Sequence, residues 1–448
     1  MSETNATRQP VLRARGSRRA AQTFLLSTMP SHPTKTERLR QARRLLSSEG
    51  AAGVSARLRA RAAAAIAPQG DTRLRVTRED LLAAAEVASA GWTLPGPAPV
   101  RPGEPLTIGW VSVPPAESSG GHATMFRMIT ALERAGHTCV LYLDDQHGWD
   151  IEQHRRNIRA WLPSVRAEVR DVRAGVADGH ALVATSWQTA YPVLASRAKG
   201  VRFYCVADFE PSFYPAGSEY LLAEATYRFG FYGVTLGAWL AQLLRRDYGM
   251  QADHFEFGAD LETYQLDRSP GAAERRTGVC YYCRPSTPRR AHELAMAALD
   301  LFAARHPEVD IHFYGEPAGR LPFRATSHGF LKPRELNALY NRCIAGLALS
   351  ATNASLVPHE MLASGCIPVA NDAEHARIVL DNDEVRYAQA TPFELAAALS
   401  AVVEEHSAER VETAASSVTG ATWDDAGATF ERIIRREVMA RSAQELAA

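Results

Sequence analysis

From residue 106 onward, apolar residues fall in short continuous runs separated by longer amphipathic stretches. A short apolar run bounded by turn residues predicts a strand buried on both faces. A longer stretch at helical spacing predicts the helix that covers it. The clearest unit is 344–370. Its run Ile344-Ala345-Gly346-Leu347-Ala348-Leu349 predicts a parallel strand, and small polar residues follow at 350–355. A helix starts at Val357-Pro358, where the missing N–H of proline is no loss. Glu360 sits in its first turn, beside the positive end of the helix. Gly365 stops the helix, and Ile367-Pro368-Val369-Ala370 begins the next strand. Such a βαβ unit opens its helix start at the carboxyl edge of the sheet, where open α/β sheets bind ligands. N–H groups over 352–356 are then placed to hold a diphosphate, and Glu360 to accept a sugar hydroxyl. An ordinary βαβ unit with a favourable charge explains the stretch equally well.

The same pattern organises the rest of the chain. Residues 1–34 lack periodicity and read as a disordered basic tail. A helical extension and linker follow over 35–105, with helix over 36–67, a cap at Thr77 leading into helix 81–90, and a proline-rich linker over 95–105. An α/β series over 106–265 predicts strands at 106–113, 138–143, 181–185, 201–206, 231–234 and 254–257. A helix at 118–135 opens on Ser118-Ser119-Gly120-Gly121. Glycines there let a ligand approach the backbone closely, and His122 follows at the helix start, either donating to a substrate or simply capping. The spacing is not G-x-G-x-x-G, so a dinucleotide is not indicated. A second series over 266–422 predicts strands at 278–283, 310–314, 344–349 and 367–370, with helices at 290–305, 335–341 and 392–404. A last amphipathic helix falls within 423–448. Two successive series of similar size predict two Rossmann-like domains facing across a cleft.

Composition agrees with a globular chain: 448 residues, 46% hydrophobic and 22% charged, enough for roughly two to three domains. The net charge is zero but unevenly spread. Between Arg8 and Arg61 basic residues far outnumber Glu37 and Glu49, so this stretch offers a peripheral contact with anionic membrane or remains a solvated extension. No run approaches the ~20 apolar residues of a membrane span. Ser17-Arg18-Arg19 with Phe24-Leu25-Leu26 is too short and too soon broken by Pro30 for a twin-arginine export signal. Cys280 and Cys283 have metal or redox spacing, but no second pair completes a site. Strand alternation turns them to opposite faces, so buried thiols of a reducing cytoplasm are expected. Asp381-Asn382-Asp383 spells a D-x-D in a turn-rich loop, where chance explains it better than metal binding. No metal and no cofactor are expected.

Taken together, these segments resemble glycosyltransferase family 4 of the GT-B fold. The resemblance runs through Gly120-Gly121, Gly136-His137-Thr138-Cys139-Val140, Phe313-Tyr314-Gly315, His328-Gly329-Phe330-Leu331 and the 350–369 stretch. More narrowly, three segments resemble the WsaF-type rhamnosyltransferases. They are Asp208-Phe209-Glu210-Pro211-Ser212-Phe213-Tyr214-Pro215, Arg284-Pro285-Ser286-Thr287-Pro288-Arg289, and Leu356 through Cys366 with Glu360 inside it.

The resemblance implies a transferase that moves L-rhamnose from dTDP-L-rhamnose to a glycan or lipid-linked glycan acceptor, with retention of anomeric configuration and no nucleic-acid partner. It places Arg284 and Arg289 on the departing diphosphate, where the family has an arginine and a lysine. It places Glu360 on the nucleotide's sugar, as the second glutamate of an E-x7-E motif. The first position of that motif is Thr352 here, which departs from the family and leaves the donor sugar open. Asn353, Ser355 and Leu356 complete the expected donor loop. Gly329, Phe330 and Leu331 resemble the segment that meets the nucleobase. Asp208, Glu210 and Tyr214 lie after an N-terminal-domain strand and are expected to contact substrate hydroxyls, with Asp208 nearest the chemistry. Carboxylates two apart in a loop also serve as turn formers. Two other readings stay open: a nucleotide-sugar epimerase of the same fold, and a catalytically silent partner in a glycan-assembly complex.

Overall fold

The structure, a computed structural model, describes residues 74–115, 120–146, 148 and 150–447. The expected tail, its membrane contact, the helix at 36–67 and Ser118-Ser119 lie outside the described residues.

Two parallel sheets carry the chain. The first contains β1 (Thr107–Ser112), β2 (Thr138–Leu143), β3 (Glu168–Asp171), β4 (Ala181–Ala184), β5 (Val201–Val206), β6 (Tyr232–Leu236) and β7 (Ala252–Phe255), in the order β3-β2-β1-β4-β5-β6-β7. The second contains β8 (Gly278–Cys283), β9 (Asp310–Gly315), β10 (Thr326–Ser327), β11 (Cys343–Leu347), β12 (Ile367–Asn371) and β13 (Arg386–Ala388), in the order β10-β9-β8-β11-β12-β13. Strands β4, β5, β11 and β12 are buried at every position, as continuous apolar runs require when helices cover both faces. Sequence patterning missed β3, β10 and β13. These are short edge strands, two to four residues long and not fully buried, where the burial signal fades.

In both sheets the strand order reverses beside the first strand, between β1 and β4 and between β8 and β11. These reversals fix where the crevices open. Gly365 ends the helix Val357–Ala363 at φ +72°. A Cβ there would lie 2.7 Å from Val411 and 2.9 Å from Leu266, so its φ and the crowding both exclude larger residues.

Three segments bind the N-terminal lobe more closely than the sequence suggested. The helix Arg78–Ser89, capped by Thr77 Oγ1 on the Asp80 N–H, packs on the helix Trp187–Ala195. Arg173 donates to both Asp80 oxygens at 2.9 and 2.8 Å and to Asp144 at 2.9 Å. The 95–105 stretch is not a free linker: Ala98 N–H donates to Gly179 O, and Gly96 O accepts from Gly200 N–H. The C-terminal helix Trp423–Ala447 crosses back from the second lobe and lies on the helix Gly120–Arg134. Phe430 stacks on Trp110 and meets Phe255 edge-on, both at 5.5 Å between ring centroids. Gly427 makes this approach close, since a Cβ there would lie 2.4 Å from Ala131 Cβ. Where the lobes join, Ala259 N–H donates to Ala421 O at 2.9 Å, tying the two crossing segments together.

Gly427→Val should therefore pry the C-terminal helix from the N-terminal lobe. Overpacking of this kind costs about 1–3 kcal/mol. Thermal unfolding should register a clear fall in Tm, and an unchanged Tm would contradict the close helix contact.

Candidate active site

Two loops flank the β8/β11 crevice. The first leaves β8 at Arg284 and turns tightly before the helix His292–Arg305. Thr287 N–H donates to Arg284 O, Arg290 N–H to Thr287 O, and Ala291 N–H to Pro288 O. Ala291 takes φ +49°, so the helix starts two residues later than the sequence pattern indicates, and Arg290 belongs to the turn. Arg284 donates from Nη1 to Tyr282 Oη at 3.0 Å. Its Nε lies 2.9 Å from Glu316 Oε1, an ion pair not aligned as a hydrogen bond. Glu316 also accepts from Ser286 N–H and Oγ, and these bonds, with the Arg284 charge, lower its pKa. Arg289 lies over the Phe213 ring at 4.4 Å, with Nε 3.2 Å from Asp208 Oδ2 across the cleft.

The second loop follows β11. Asn353 is buried, and its Nδ2 donates to Ala207 O and Leu236 O, both at 3.0 Å. These carbonyls lie just past β5 and at the end of β6, so Asn353 fastens its loop to the carboxyl edge of the opposite sheet. Its N–H donates to Asp208 Oδ1 at 2.9 Å, and its Oδ1 accepts from Ala354 N–H. The expected row of free donors over 352–356 is thus partly consumed: the N–H groups of Asn353 and Ala354 are taken by side chains. Asn353 itself joins the lobes, so the substrate contact expected of its side chain gives way to this role. Thr352 is also corrected. It is 2% exposed with no partner for its hydroxyl, so it is packed into the loop rather than presented to a sugar. Ser355 and Leu356 remain partly exposed.

On the N-terminal side, Asp208 reaches the cleft with both oxygens engaged. Oδ1 accepts from the N–H groups of Phe209 and Asn353, and Oδ2 faces Arg289. Glu210 does not reach the cleft. Its carboxylate is buried and accepts from Trp187 N–H and Tyr204 Oη, both at 2.9 Å, so the expected substrate contact becomes a structural one. Burial raises its pKa to about 7. Tyr214 is half-buried, with its hydroxyl accepting from Trp187 Nε1 at 3.0 Å. Gly120 and Gly121 are open on their Cβ sides, which fits a close approach to the backbone. Burial lowers the His122 pKa, opposed by a hydrogen bond to the Val113 backbone, so the ring is neutral at pH 7.

Glu360 is half-buried among groups from the N-terminal lobe and the lobe junction. Desolvation raises its pKa to about 7, against Arg127 and a hydrogen bond from Tyr264, while Asp260 adds to the rise. Arg127 stacks 4.2 Å over Trp423. Gly329 takes φ +66°, its carbonyl accepts from Gly315 N–H, and Phe330 projects with 65% exposure. Leu331 packs against the core. An exposed aromatic beside a glycine turn is suited to stacking on a flat base.

Sequence reasoning missed Arg127, Asp260, Tyr264, Glu316 and Arg290. Arg290 left a signal, the Arg289-Arg290 doublet; the others are scattered along the chain and meet only through the fold. Cys280 and Cys283 are both buried free thiols. Asp381 closes the helix Glu374–Leu380 at φ +35°, and Asn382 bonds to Ser417, so the D-x-D serves a turn. Among the described residues no group of three or more His, Cys, Asp or Glu is placed to hold a metal.

Residues 277–400 match the family model described as WsaF, C-terminal domain. The chain is similar to this family over that segment alone. Over 262 residues the chain is 33% identical to the O-antigen biosynthesis protein RfbC of Myxococcus xanthus, covering 56% of this chain and 20% of that one. The chain thus spans about a fifth of the length of this curated relative. Among solved structures, it resembles sucrose-phosphate synthase from Thermosynechococcus elongatus, with 14% identity, TM-score 0.57, and coverage of 75% of this chain and 99% of that one. It also resembles Anabaena Alr3699/HepE in complex with UDP and glucose, with 14% identity, TM-score 0.52, and coverage of 77% and 100%. These likenesses bear out the GT-B fold.

The raised pKa of Glu360 has a signed consequence. The folded chain keeps a proton that the unfolded chain releases above about pH 4.5. Stability from this group is therefore greatest at low pH and falls as pH rises from about 4.5 to about 7. Glu360→Gln keeps the neutral form, so its Tm relative to wild type should climb by a few degrees between pH 5 and pH 8. A difference that stays flat across this range would contradict the buried environment of Glu360.

Proposed function

We propose that the protein is a glycosyltransferase acting in O-antigen or other cell-surface polysaccharide synthesis, with a nucleotide-sugar donor. The observation that carries this reading is the arginine turn at the β8/β11 crevice of a WsaF-type lobe. Arg284, Arg289 and Arg290 gather positive charge where an open α/β sheet binds its ligand. A departing diphosphate needs that charge. RfbC, by its name, acts in O-antigen biosynthesis, and HepE is described in complex with UDP and glucose; both support the substrate class.

The finer reading is transfer of L-rhamnose from dTDP-L-rhamnose to a glycan or lipid-linked glycan, with retention. Asp208 supports a front-face course, because its oxygens are engaged by two N–H groups and a guanidinium rather than free to take a proton. The departing diphosphate oxygen takes the acceptor proton while the arginines stabilise the charge left on it. An epimerase needs acid and base on both faces of the sugar, and the burial of Glu210 removes one candidate. No described helix is long and apolar enough to cross a membrane. Contact with a lipid-linked acceptor falls to the basic stretch between Arg8 and Arg61.

Two measurements test this. In a thermal-shift panel, dTDP and dTDP-L-rhamnose should stabilise the protein more than UDP or GDP sugars. The gain is about 2.7 kcal/mol at a hundred times the dissociation constant. If UDP-glucose protects best, the rhamnose reading fails and a nucleotide-sugar transferase remains. In steady-state kinetics, Arg289→Ala should lower kcat about a hundredfold, the scale for losing one transition-state donor. Arg289→Lys should retain part of the rate, because it keeps the charge and loses the fork. EDTA should leave the wild-type rate intact; inhibition relieved by manganese or magnesium would overturn the arginine assignment.

A further inference from the structure

The loop after β5 is anchored at two points by one residue. Glu210 is 7% exposed and begins the short turn Glu210–Phe213. Its Oε2 accepts from the N–H of Trp187, the first residue of the helix Trp187–Ala195, and its Oε1 accepts from Tyr204 Oη, both at 2.9 Å. A helix start offers free N–H groups and a positive dipole end, so a carboxylate suits it. The Glu210 N–H donates to the hydroxyl of buried Tyr227 at 3.2 Å. Four residues on, the Tyr214 hydroxyl accepts from Trp187 Nε1 at 3.0 Å. Trp187 thus grips both ends of the segment 210–214, one through its backbone and the other through its indole.

What this loop presents to the cleft is the surroundings of Arg289. The turn Glu210–Phe213 meets the turn Pro288–Arg290 across the cleft. Arg289 takes its ion-pair partner, Asp208, and its stacking partner, Phe213, from this one loop. Phe213 keeps 36% of its surface exposed, so its place depends on its backbone more than on core packing. The Arg289 Nε lies 3.2 Å from Asp208 Oδ2 without the alignment of a hydrogen bond, so the pair by itself orients the guanidinium weakly. The set of the loop then decides where the guanidinium points. A buried carboxylate is costly unless its oxygens are satisfied, and Glu210 meets that condition only in the present position of the loop.

We infer that Glu210 is a positioning residue for Arg289: by fixing the loop 208–214 it sets Asp208 and Phe213 against the guanidinium and so aims it into the β8/β11 crevice. This rests on the nucleotide-sugar reading above, in which Arg289 meets the diphosphate. Glu210 itself touches no substrate. Its removal leaves the Trp187 N–H and the Tyr204 hydroxyl without their acceptor, and the loop loses its register against the arginine turn. The planar fork of an arginine is specific in geometry, so such a shift weakens its hold on a phosphoryl group.

The test is a double-mutant cycle on the full chain, read calorimetrically as affinity for dTDP or UDP, whichever wild type binds more tightly. Glu210→Ala should weaken that affinity about tenfold, within the range for residues that share partners. Beside Arg289→Ala the same substitution should change it by no more than about twofold, because the guanidinium it aims has gone. Glu210→Gln should recover most of the loss: it keeps an oxygen for the Trp187 N–H and turns its amide to the Tyr204 hydroxyl, which can accept as well as donate. If Glu210→Ala does not fold, Tyr204→Phe carries the cycle. It removes one hydrogen bond from the carboxylate, and its smaller loss should again vanish beside Arg289→Ala. A purely structural Glu210 would lower Tm and weaken binding by the same factor in both backgrounds, and that additivity overturns the inference. Unchanged affinity in a folded Glu210→Ala also overturns it and leaves the glycosyltransferase reading standing. A wild type that binds neither nucleotide sinks both readings.

Discussion

Asn353 sits in the C-terminal lobe, yet three of its hydrogen bonds end in the N-terminal lobe. Its side chain binds the carbonyls of Ala207 and Leu236, and its N–H binds Asp208. Exposed carbonyls at the end of a sheet need donors, and an amide is the side chain that supplies two without adding charge. This contact sets the spacing of the crevice. It holds the loop after β11 against β5 and β6, and through Asp208 it draws Arg289 across the cleft. The backbone bond from Ala351 N–H to Arg289 O links the same loop to the arginine turn. The two lobes therefore share one network at the point where both sheets present their carboxyl edges.

Charge balance within that network gives the site its character. Glu316 and Asp208 hold Arg284 and Arg289 in place and moderate their mutual repulsion. On the other wall, Glu360 meets Arg127, Asp260 and Tyr264, with Arg127 stacked on Trp423 at the start of the crossing helix. Glu360 is thus coupled to the segments that join the lobes.

Much of the fold was legible because parallel strands buried on both faces leave continuous apolar runs. Residues 344–349 and 201–206 are such cases. The edge strands β3, β10 and β13 leave little trace, since they are short and their incomplete burial frees them from apolar constraint. The candidate site was legible through local chemistry in the arginines and prolines of 284–289 and in Glu360 of a first helical turn, and through resemblance alone in Gly329 and Phe330. It was misread where burial decides the role. Glu210 and Asp208 lie two apart in one loop, yet one enters the core and the other spans the cleft. Sequence shows that both are carboxylates, but only the fold places Trp187 and Tyr204 around Glu210. Thr352 and Asn353 show the same limit: small polar residues in a loop read as ligand contacts, and here one is packed away and the other joins the lobes.

The central claim is that the turn from Arg284 to Arg290 receives a nucleoside diphosphate. A crystal structure of the full chain with dTDP tests it most directly. The account predicts both phosphoryl groups within hydrogen-bond distance, about 2.7–3.2 Å, of guanidinium nitrogens in this turn. The base should lie toward the Gly329–Phe330 segment. Well-defined nucleotide elsewhere would contradict the account, for instance in the hollow of about 480 Å³ lined by Tyr232, Arg245 and Asp253 at the far edge of the first sheet.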